Sequence, residues 1–127
     1  MDLVAVRRKN TAWSINQNPV TITINRTEKV EIDGHFDEHV YQIGPLIVRI
    51  FQAAEKNART ETHLVGTKVI DAGWGLLADW QADLRAGSNV RDEFDVPDIG
   101  FFVIKSVYPQ MVMEQVAGYQ AELEKVS

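Results

Sequence analysis

The sequence contains no cysteine among its 127 residues. This excludes both a disulfide framework and a thiolate zinc site, so the fold must depend on its core or on its partners. An absence of cysteine is compatible with a reducing cytoplasm. No apolar run follows the basic residues Arg7, Arg8 and Lys9, so we expect no secretory signal. No stretch approaches the length of a transmembrane helix, and we predict a soluble protein without membrane contact.

Basic residues are also scarce. The chain has 13 lysines and arginines against 18 acidic residues, which gives a net charge of −5 and a pI of about 5.1. A large nucleic-acid footprint needs clustered cations to neutralise phosphates, so this balance argues against one while allowing weak or transient contact with DNA. The length fits one domain that buries a core of its own.

Motifs of catalysis are missing as well. No serine lies in a Gly-x-Ser-x-Gly elbow, and the glycines form no phosphate-binding loop. His35 and His39 are four residues apart among acidic side chains, a spacing that aligns metal ligands only on a helix. Gly34 and the strand pattern around it argue against a helix, so we interpret residues 33–39 as a solvated loop. We expect no enzyme activity, no metal and no cofactor.

Residues 1–17 are predicted to form an N-terminal helical arm. Asp2 is placed as its N-cap, and Asn18-Pro19 ends it because proline disfavours helical geometry in the preceding residue. One helical stripe of this arm consists of Leu3, Val6, Asn10 and Trp13. The stripe either packs on the chain's own barrel or docks on a neighbouring subunit, and the sequence leaves both alternatives open.

Residues 18–127 are predicted to form a β-barrel domain. Alternating apolar residues predict a strand from Val20 that continues past a bend at 27–29 to Ile32. Further strands are expected at residues 43–51, 65–71 and 74–80, with Pro45 indicating a sheet edge or a strand start. Polar connections are expected at residues 33–39, 52–63 and 83–89. The predicted fold is mainly β, a small antiparallel β-barrel with a short N-terminal helix and long exposed loops.

The stretch from Gly87 to Pro109 carries the clearest β pattern. A polar turn leads into a short strand, the turn Pro97–Gly100 reverses the chain, and a second strand follows, which predicts an antiparallel hairpin. We expect Val96, Val103 and Val107 to pack inward and the residues Arg91, Asp92 and Glu93 to face neighbours.

The C-terminal segment fits either a helical stripe or a strand alternation. Gly118 lies inside it and weakens the helix, so we prefer a final hairpin that turns within residues 111–117.

The aromatic residues of the second half allow two interpretations. Stacking on nucleic-acid bases would need accompanying basic residues, and residues 74–80 have none, so burial in the core is favoured for most of these aromatics. The set consists of Trp74, Trp80, Phe101, Phe102 and Tyr108. Phe101 and Phe102 are adjacent and point to opposite faces of a strand, so one of them is expected outside the core, where an aromatic can contact another subunit.

Residues 73–109 resemble part of a family of small phage neck proteins, the head–tail connectors called stoppers or head-completion proteins of long-tailed phages. The resemblance lies in a charged turn before a strand, a short glycine turn, and a strand that ends in a Val-x-x-Val-like run. Those parts are Arg91-Asp92-Glu93-Phe94, Asp98-Ile99-Gly100 and Phe102-Val103-Ile104-Lys105-Ser106-Val107. Residues 18–24 look similar to a first strand in such proteins. The N-terminal helix is not a common feature of the family.

This resemblance implies a β-barrel subunit that assembles into a ring, closes the DNA exit channel after packaging and offers an attachment surface to the tail. The partners it implies are further copies of the chain, a portal or adaptor protein, a tail terminator or tail-tube protein, and packaged DNA in transient contact. The location it implies is the neck of the virion, after synthesis in the host cytoplasm. An acidic surface would let DNA pass without adhesion.

Two groups of residues are the candidates for this role. The candidate interface residues are Trp13, Arg91, Asp92, Glu93 and Phe101. The candidate loop facing the lumen of the ring contains Glu55, Lys56, Asn57, Arg59 and Glu61. We expect deletion of residues 52–63 to be tolerated for folding and not for assembly. The alternative function is a monomeric barrel that binds single-stranded nucleic acid or a small ligand.

Overall fold

The computed structural model describes residues 2–52 and 73–126. One helix and six strands occur in this part of the chain. They are α1 (Leu3–Gln17), β1 (Val20–Ile32), β2 (His35–Gln52), β3 (Trp74–Asp79), β4 (Val90–Val96), β5 (Gly100–Val112) and β6 (Gln115–Lys125). The expected strand at 65–71 lies outside the described residues. The candidate lumen loop also lies outside them, with Glu55, Lys56, Asn57, Arg59 and Glu61.

The strands form a closed barrel in the order β1-β2-β3-β6-β5-β4, and each neighbouring pair is antiparallel. The predicted mainly β fold with an antiparallel barrel is therefore confirmed. The hairpin around the Pro97–Gly100 turn is present as β4 and β5, with Asp98 at a φ of 69° in the turn. The final hairpin is present as β5 and β6. Its two turn residues, Met113 and Glu114, both have positive φ, as two-residue hairpin turns of the primed type require.

The interior of the barrel is filled by apolar side chains from all six strands. Phe94 and Phe102 are fully buried with their ring centroids 5.7 Å apart, and Trp74 stands edge-on to Phe102 at 5.2 Å. The aliphatic part of the core includes Ile22, Ile24, Val48, Ile50, Leu76, Ile104 and Leu123. A small barrel packed in this way is a solid core and leaves no passage along its axis.

Helix α1 packs across the outer surface of the barrel, mainly against β3 and β6 and also against β2 and β5. The predicted cap is confirmed, since the Asp2 carboxylate accepts hydrogen bonds from the backbone N–H groups of Val4 and Ala5. Arg49 lies between two inward residues of β2, so its side chain points outward, where it donates to the Ser14 carbonyl and hydroxyl oxygens. These contacts hold the C-terminal half of the helix on β2.

The packing face of α1 differs from the predicted one. The buried residues are Val4, Thr11 and Ile15, while Leu3, Val6 and Trp13 of the predicted stripe are exposed. The reason is the docking surface: Gly118 has no side chain, so β6 admits Thr11 closely. Of the two alternatives for the stripe, packing on the chain's own barrel is therefore contradicted, and the stripe faces solvent.

The predicted loop at residues 33–39 is instead part of a hairpin. Only Asp33 and Gly34 form its turn, both with positive φ, and His35 already pairs with Ile32 as the first residue of β2. The expected bend at 27–29 is also absent, because β1 pairs with β2 without interruption from Ile24 to Ile32. Neither face of residues 35–39 covers the core, so this segment lacks the apolar alternation that marks a strand in sequence.

Pro45 lies in the middle of β2 rather than at a strand start. The β2–β3 pairing starts only at Arg49, so within the described residues Pro45 lies on a part of β2 that pairs with β1 alone, as at a sheet edge. Between two register points, β2 advances from Ile43 to Leu46 while β1 advances only from Ile24 to Ile22, so β2 carries one extra residue there. A bulge of this kind accommodates a residue that cannot donate to the ladder.

Candidate interaction surfaces

A buried ion pair joins β1 to β4. Arg26 and Asp92 are opposite each other in the register of these strands, and both are 0% exposed. The guanidinium donates from Nε to Asp92 Oδ1 at 2.7 Å and from Nη2 to Asp92 Oδ2 at 2.9 Å. Asp92 Oδ2 also accepts the backbone N–H of Arg85 at 2.8 Å. The pair therefore joins the β1–β4 seam to the connection between β3 and β4.

Asp83 in that connection is the second carboxylate on Arg26. Its Oδ2 accepts from Arg26 Nη1 at 3.0 Å, and its backbone oxygen accepts from Nη2 at 3.1 Å. The hydrogen bond with Arg26 holds the pKa of the Asp83 carboxyl below its usual value. The hydrogen bond with Asp92 is the main cause that raises the pKa of Arg26 above its usual value. Both groups stay charged near neutral pH.

The network of ion pairs extends to the base of the β1–β2 hairpin. Arg85 Nη1 lies 3.2 Å from Glu28 Oε1, and the Tyr41 hydroxyl donates to that same oxygen. Asp83 and Arg85 belong to the predicted polar connection 83–89, which also sends Leu84 into the core. These contacts fix the connection over one end of the barrel, so we assign the network a structural role.

The hairpin beyond this base is a two-stranded ribbon, which we define as residues 28–40. The β1–β4 pairing stops at Glu28 and Val90, and the β2–β3 pairing starts only at Arg49, so no third strand flanks the ribbon within the described residues. Phe36 is 62% exposed and Val40 is 69% exposed. Both lie on the same face of β2, because side chains four residues apart in a strand point the same way.

The far end of the β5–β6 hairpin extends from the same end of the barrel. The β4–β5 pairing stops at Glu93 and Val103, so the rest of β5 pairs only with β6 within the described residues. Three large apolar side chains are exposed on it: Tyr108, Met111 and Met113. Exposed apolar side chains on projecting hairpins are typical of surfaces that contact another protein.

A cleft of ≈ 570 Å³ opens where β4 and β5 diverge. It is lined by Lys29 from the ribbon, Arg91 from β4 and Lys105 from β5, together with the turn at residues 87–89. Glu38 lies opposite Lys29 in the register and adds one carboxylate to the lining. We call this feature the basic cleft. It concentrates cations in a chain whose net charge is −5.

The outer face of α1 lies on the opposite side of the barrel from the basic cleft. In the ring of strands, β3 and β6 below the helix are opposite β4 and β1 beside the cleft. Arg8 reaches down from the helix, donates to the Val116 carbonyl at 3.0 Å and stacks 3.8 Å from the Trp80 ring centroid. Trp13 points away from the barrel and is 66% exposed.

The candidate interface residues therefore do not form one surface. Trp13 lies on the helix side, while Arg91 and Glu93 lie on β4, where Arg91 Nε is 3.1 Å from Glu93 Oε2. Asp92 is not a surface residue, and that prediction is wrong: its side chain is turned inward and held by Arg26. All three charges lie within β4 rather than in a turn before it.

The aromatic and valine predictions are confirmed only in part. Phe102 is in the core while Phe101 is partly buried, as expected for adjacent strand residues. Trp80 and Tyr108 are exposed, contrary to the predicted burial. Val96 is buried and Val107 packs against the core, but Val103 is on the opposite face and lines the basic cleft, because it lies between two inward residues of β5.

The histidines of the ribbon do not gather ligands. His35 and His39 lie on β2, and His35 Nε2 is 3.7 Å from Asp37 Oδ1. Within residues 2–52 and 73–126, no group of three or more histidine, cysteine, aspartate or glutamate side chains could hold a metal ion.

Sequence reasoning missed the role of Arg26. The signal was its position, since it continues the inward alternation of Ile22 and Ile24 along β1. An arginine at an inward strand position predicts a buried acidic partner, because an unpaired buried charge is very costly.

The sequence matches no family model, and the comparisons with curated proteins and with solved structures give no match. Within the described residues, no helix has the length and hydropathy needed to cross a membrane.

Proposed function

We propose that this chain is a structural subunit of the neck of a long-tailed phage, where copies form a ring between the portal or adaptor and the tail. The observation that carries the proposal is the presence of two unlike apolar surfaces on one small barrel. The ribbon exposes one set. The outer face of α1 and the neighbouring end of the β5–β6 hairpin expose the other, since Met111 lines a cavity together with Arg7 and Asn10 of the helix. Unlike surfaces on one subunit produce head-to-tail contacts, which close into rings when the rotation permits.

The solid core of the barrel supports the same proposal. Phe94 and Phe102 fill its centre, so DNA cannot pass through a single subunit. A channel for DNA would therefore lie between subunits arranged around an axis. The function of such a ring is mechanical: it closes the channel after packaging and presents a surface to the tail terminator or tail tube.

Co-assembly with purified portal complexes tests the proposal. We expect electron microscopy to show an additional ring of density on the portal when the full chain is added. The matched control is a variant with the end of the β5–β6 hairpin made polar, Met111→Ser together with Met113→Ser, which should fold normally and bind the portal less. A chain that never associates with a portal, with an adaptor or with itself would overturn the proposal.

The basic cleft favours a second candidate function, a barrel that binds single-stranded nucleic acid or a small anionic ligand. Lys29, Arg91 and Lys105 would contact phosphate or carboxylate groups there. Titration with labelled single-stranded DNA at physiological salt distinguishes the two functions. Tight binding that Arg91→Gln and Lys105→Gln abolish would favour the second candidate, and absence of binding would leave the neck proposal in place.

A further inference from the structure

The outer face of α1 combines apolar and basic side chains. Val6 and Trp13 point away from the face that packs on the barrel, and Lys9 lies between them on the helix. Residues 2–17 carry three cations and the carboxylate of Asp2. Arg8 is turned toward the barrel, so Arg7 and Lys9 are the exposed cations of the helix. A surface of this composition suits a partner that is both apolar and acidic.

The ribbon has the complementary composition. It carries five carboxylates and one lysine: Glu28, Glu31, Asp33, Asp37, Glu38 and Lys29. Phe36 and Val40 expose their side chains on the same face as Glu31, which is directly opposite Phe36, and Glu38, which lies between Phe36 and Val40 on β2. Lys29 is opposite Glu38 on this face, which therefore carries two carboxylates and one lysine. The ribbon therefore presents two apolar side chains with acidic side chains beside them.

The two surfaces also agree in scale. Val6 and Trp13 are seven residues apart on a helix, a separation of about 10 Å at the usual rise of about 1.5 Å per residue. Phe36 and Val40 are four residues apart on a strand, a separation of about 13 Å at the usual rise of about 3.3 Å per residue. The two separations are similar enough for both apolar pairs to meet in one contact, Phe36 with Trp13 and Val40 with Val6.

The positions of the two surfaces suit a contact between copies. The ribbon extends β1 and β2 past the end of β4, whereas α1 covers β3 and β6 on the opposite side of the barrel. We propose that the ribbon of one copy docks on the outer face of α1 in the next copy, with Phe36 against Trp13 and the ribbon carboxylates near Lys9. The contact rests on the ring proposed above and identifies the surfaces that form it.

Cysteine cross-linking tests this contact directly, because the chain has no cysteine of its own. Trp13→Cys and Phe36→Cys both replace exposed side chains, so both variants should fold. We expect a mixture of the two, one of them carrying an affinity tag, to give a cross-linked heterodimer with a short bismaleimide. The double variant should give a ladder of larger oligomers, as a head-to-tail contact requires.

The controls separate this contact from other modes of association. Trp13→Cys alone should give no cross-linked dimer, because the proposed contact joins a helix to a ribbon and does not bring two helices together. Trp13→Cys mixed with Met113→Cys, a residue of the other hairpin that is more exposed than Phe36, should give none either. Homodimers of Trp13→Cys, or equal yields from the Met113→Cys mixture, would overturn the proposal.

Charge reversal gives a second, independent measurement. Lys9→Glu in the Trp13→Cys chain should lower the cross-linking yield with Phe36→Cys roughly fivefold at low salt, and Glu31→Lys in the partner should restore it. An unchanged yield, or no restoration, would contradict the charge pairing and overturn the contact as proposed. Rings on the portal without this cross-link would refute the contact and leave the neck function standing. The cross-link without rings on the portal would support the contact and contradict the neck function.

Discussion

Arg26 and Asp92 form a bidentate ion pair inside the barrel, with both side chains fully buried and donor–acceptor distances of 2.7 and 2.9 Å. The two residues lie on the adjacent strands β1 and β4, and a second carboxylate, that of Asp83, accepts a further hydrogen bond from the guanidinium. A buried charge of this kind is tolerated only with its partners in place, because desolvation of an unpaired ion costs several kcal/mol.

Removal of one partner should therefore destabilise the fold strongly. We expect Asp92→Ala to lower the free energy of unfolding by about 3–5 kcal/mol, since Arg26 would be left buried with a single carboxylate. Glu93→Ala is the matched control on the same strand and should cost less than about 1 kcal/mol, because its partner Arg91 is exposed. Urea denaturation followed by tryptophan fluorescence measures both values. Equal costs for the two variants would contradict the structural role of the pair.

Replacement of both charges should cost less than removal of one. The double variant Arg26→Met with Asp92→Leu removes the need for ion pairing and keeps much of the volume. We expect its free energy of unfolding to exceed that of Asp92→Ala. A double variant less stable than Asp92→Ala would contradict this expectation. It would indicate that the hydrogen bonds from Arg26 to Asp83 and from Arg85 to Asp92 stabilise the fold more than an unpaired buried charge destabilises it.

The barrel was predictable from sequence because its strands cover a core, and the interaction surfaces were not. Val20, Ile22 and Ile24 alternate visibly since one face of β1 is buried. The alternation continues into the ribbon as far as Ile32, but residues 35–39 on the returning strand have both faces in solvent, so no pattern distinguishes them from a loop.

The helix shows a different limit of sequence analysis. Its most apolar stripe is exposed while Thr11 is buried, because the choice of face depends on Gly118, more than a hundred positions away along the chain. Asp92 was assigned to the surface for a related reason. A charged residue in a polar stretch is usually solvated, and its partner Arg26 is 66 positions away.

The acid stability of the protein should depend on Asp83. Its folded-state pKa is lowered below the ordinary value of 3.8, so its contribution to stability is fully present above that value and is lost as the pH falls through the lower folded-state pKa. We expect the wild-type midpoint of thermal unfolding to fall more steeply than that of Asp83→Asn below about pH 4. Parallel slopes in calorimetry would show that the Arg26–Asp83 contact does not couple to folding. Arg26, whose pKa is raised, does not titrate in this range.

Close packing between α1 and β6 should make Gly118 sensitive to substitution. A Cβ atom there would lie 2.9 Å from Thr11 Cγ2 and 3.1 Å from the Ala78 carbonyl oxygen. We expect Gly118→Ala to destabilise the protein by about 1–3 kcal/mol through overpacking. Thr11→Ser removes the nearer methyl group and should recover part of this loss in the double variant. Additive effects of the two substitutions would contradict direct contact.

The adjacent residues Phe101 and Phe102 should respond very differently to truncation. Phe102 is fully buried between Trp74 and Phe94, so Phe102→Ala leaves a cavity in the middle of the barrel and should cost about 3–5 kcal/mol of unfolding free energy. Phe101 is partly buried on the other face of β5, so Phe101→Ala should cost about 1 kcal/mol. Chemical denaturation of the isolated subunit gives both numbers. Similar costs would show that both aromatic side chains share the interior, which would contradict the inward alternation along β5.

Phe101→Ala should also be tested in the portal co-assembly experiment. A loss of assembly at nearly unchanged stability would identify the Phe101 side chain as part of a subunit contact.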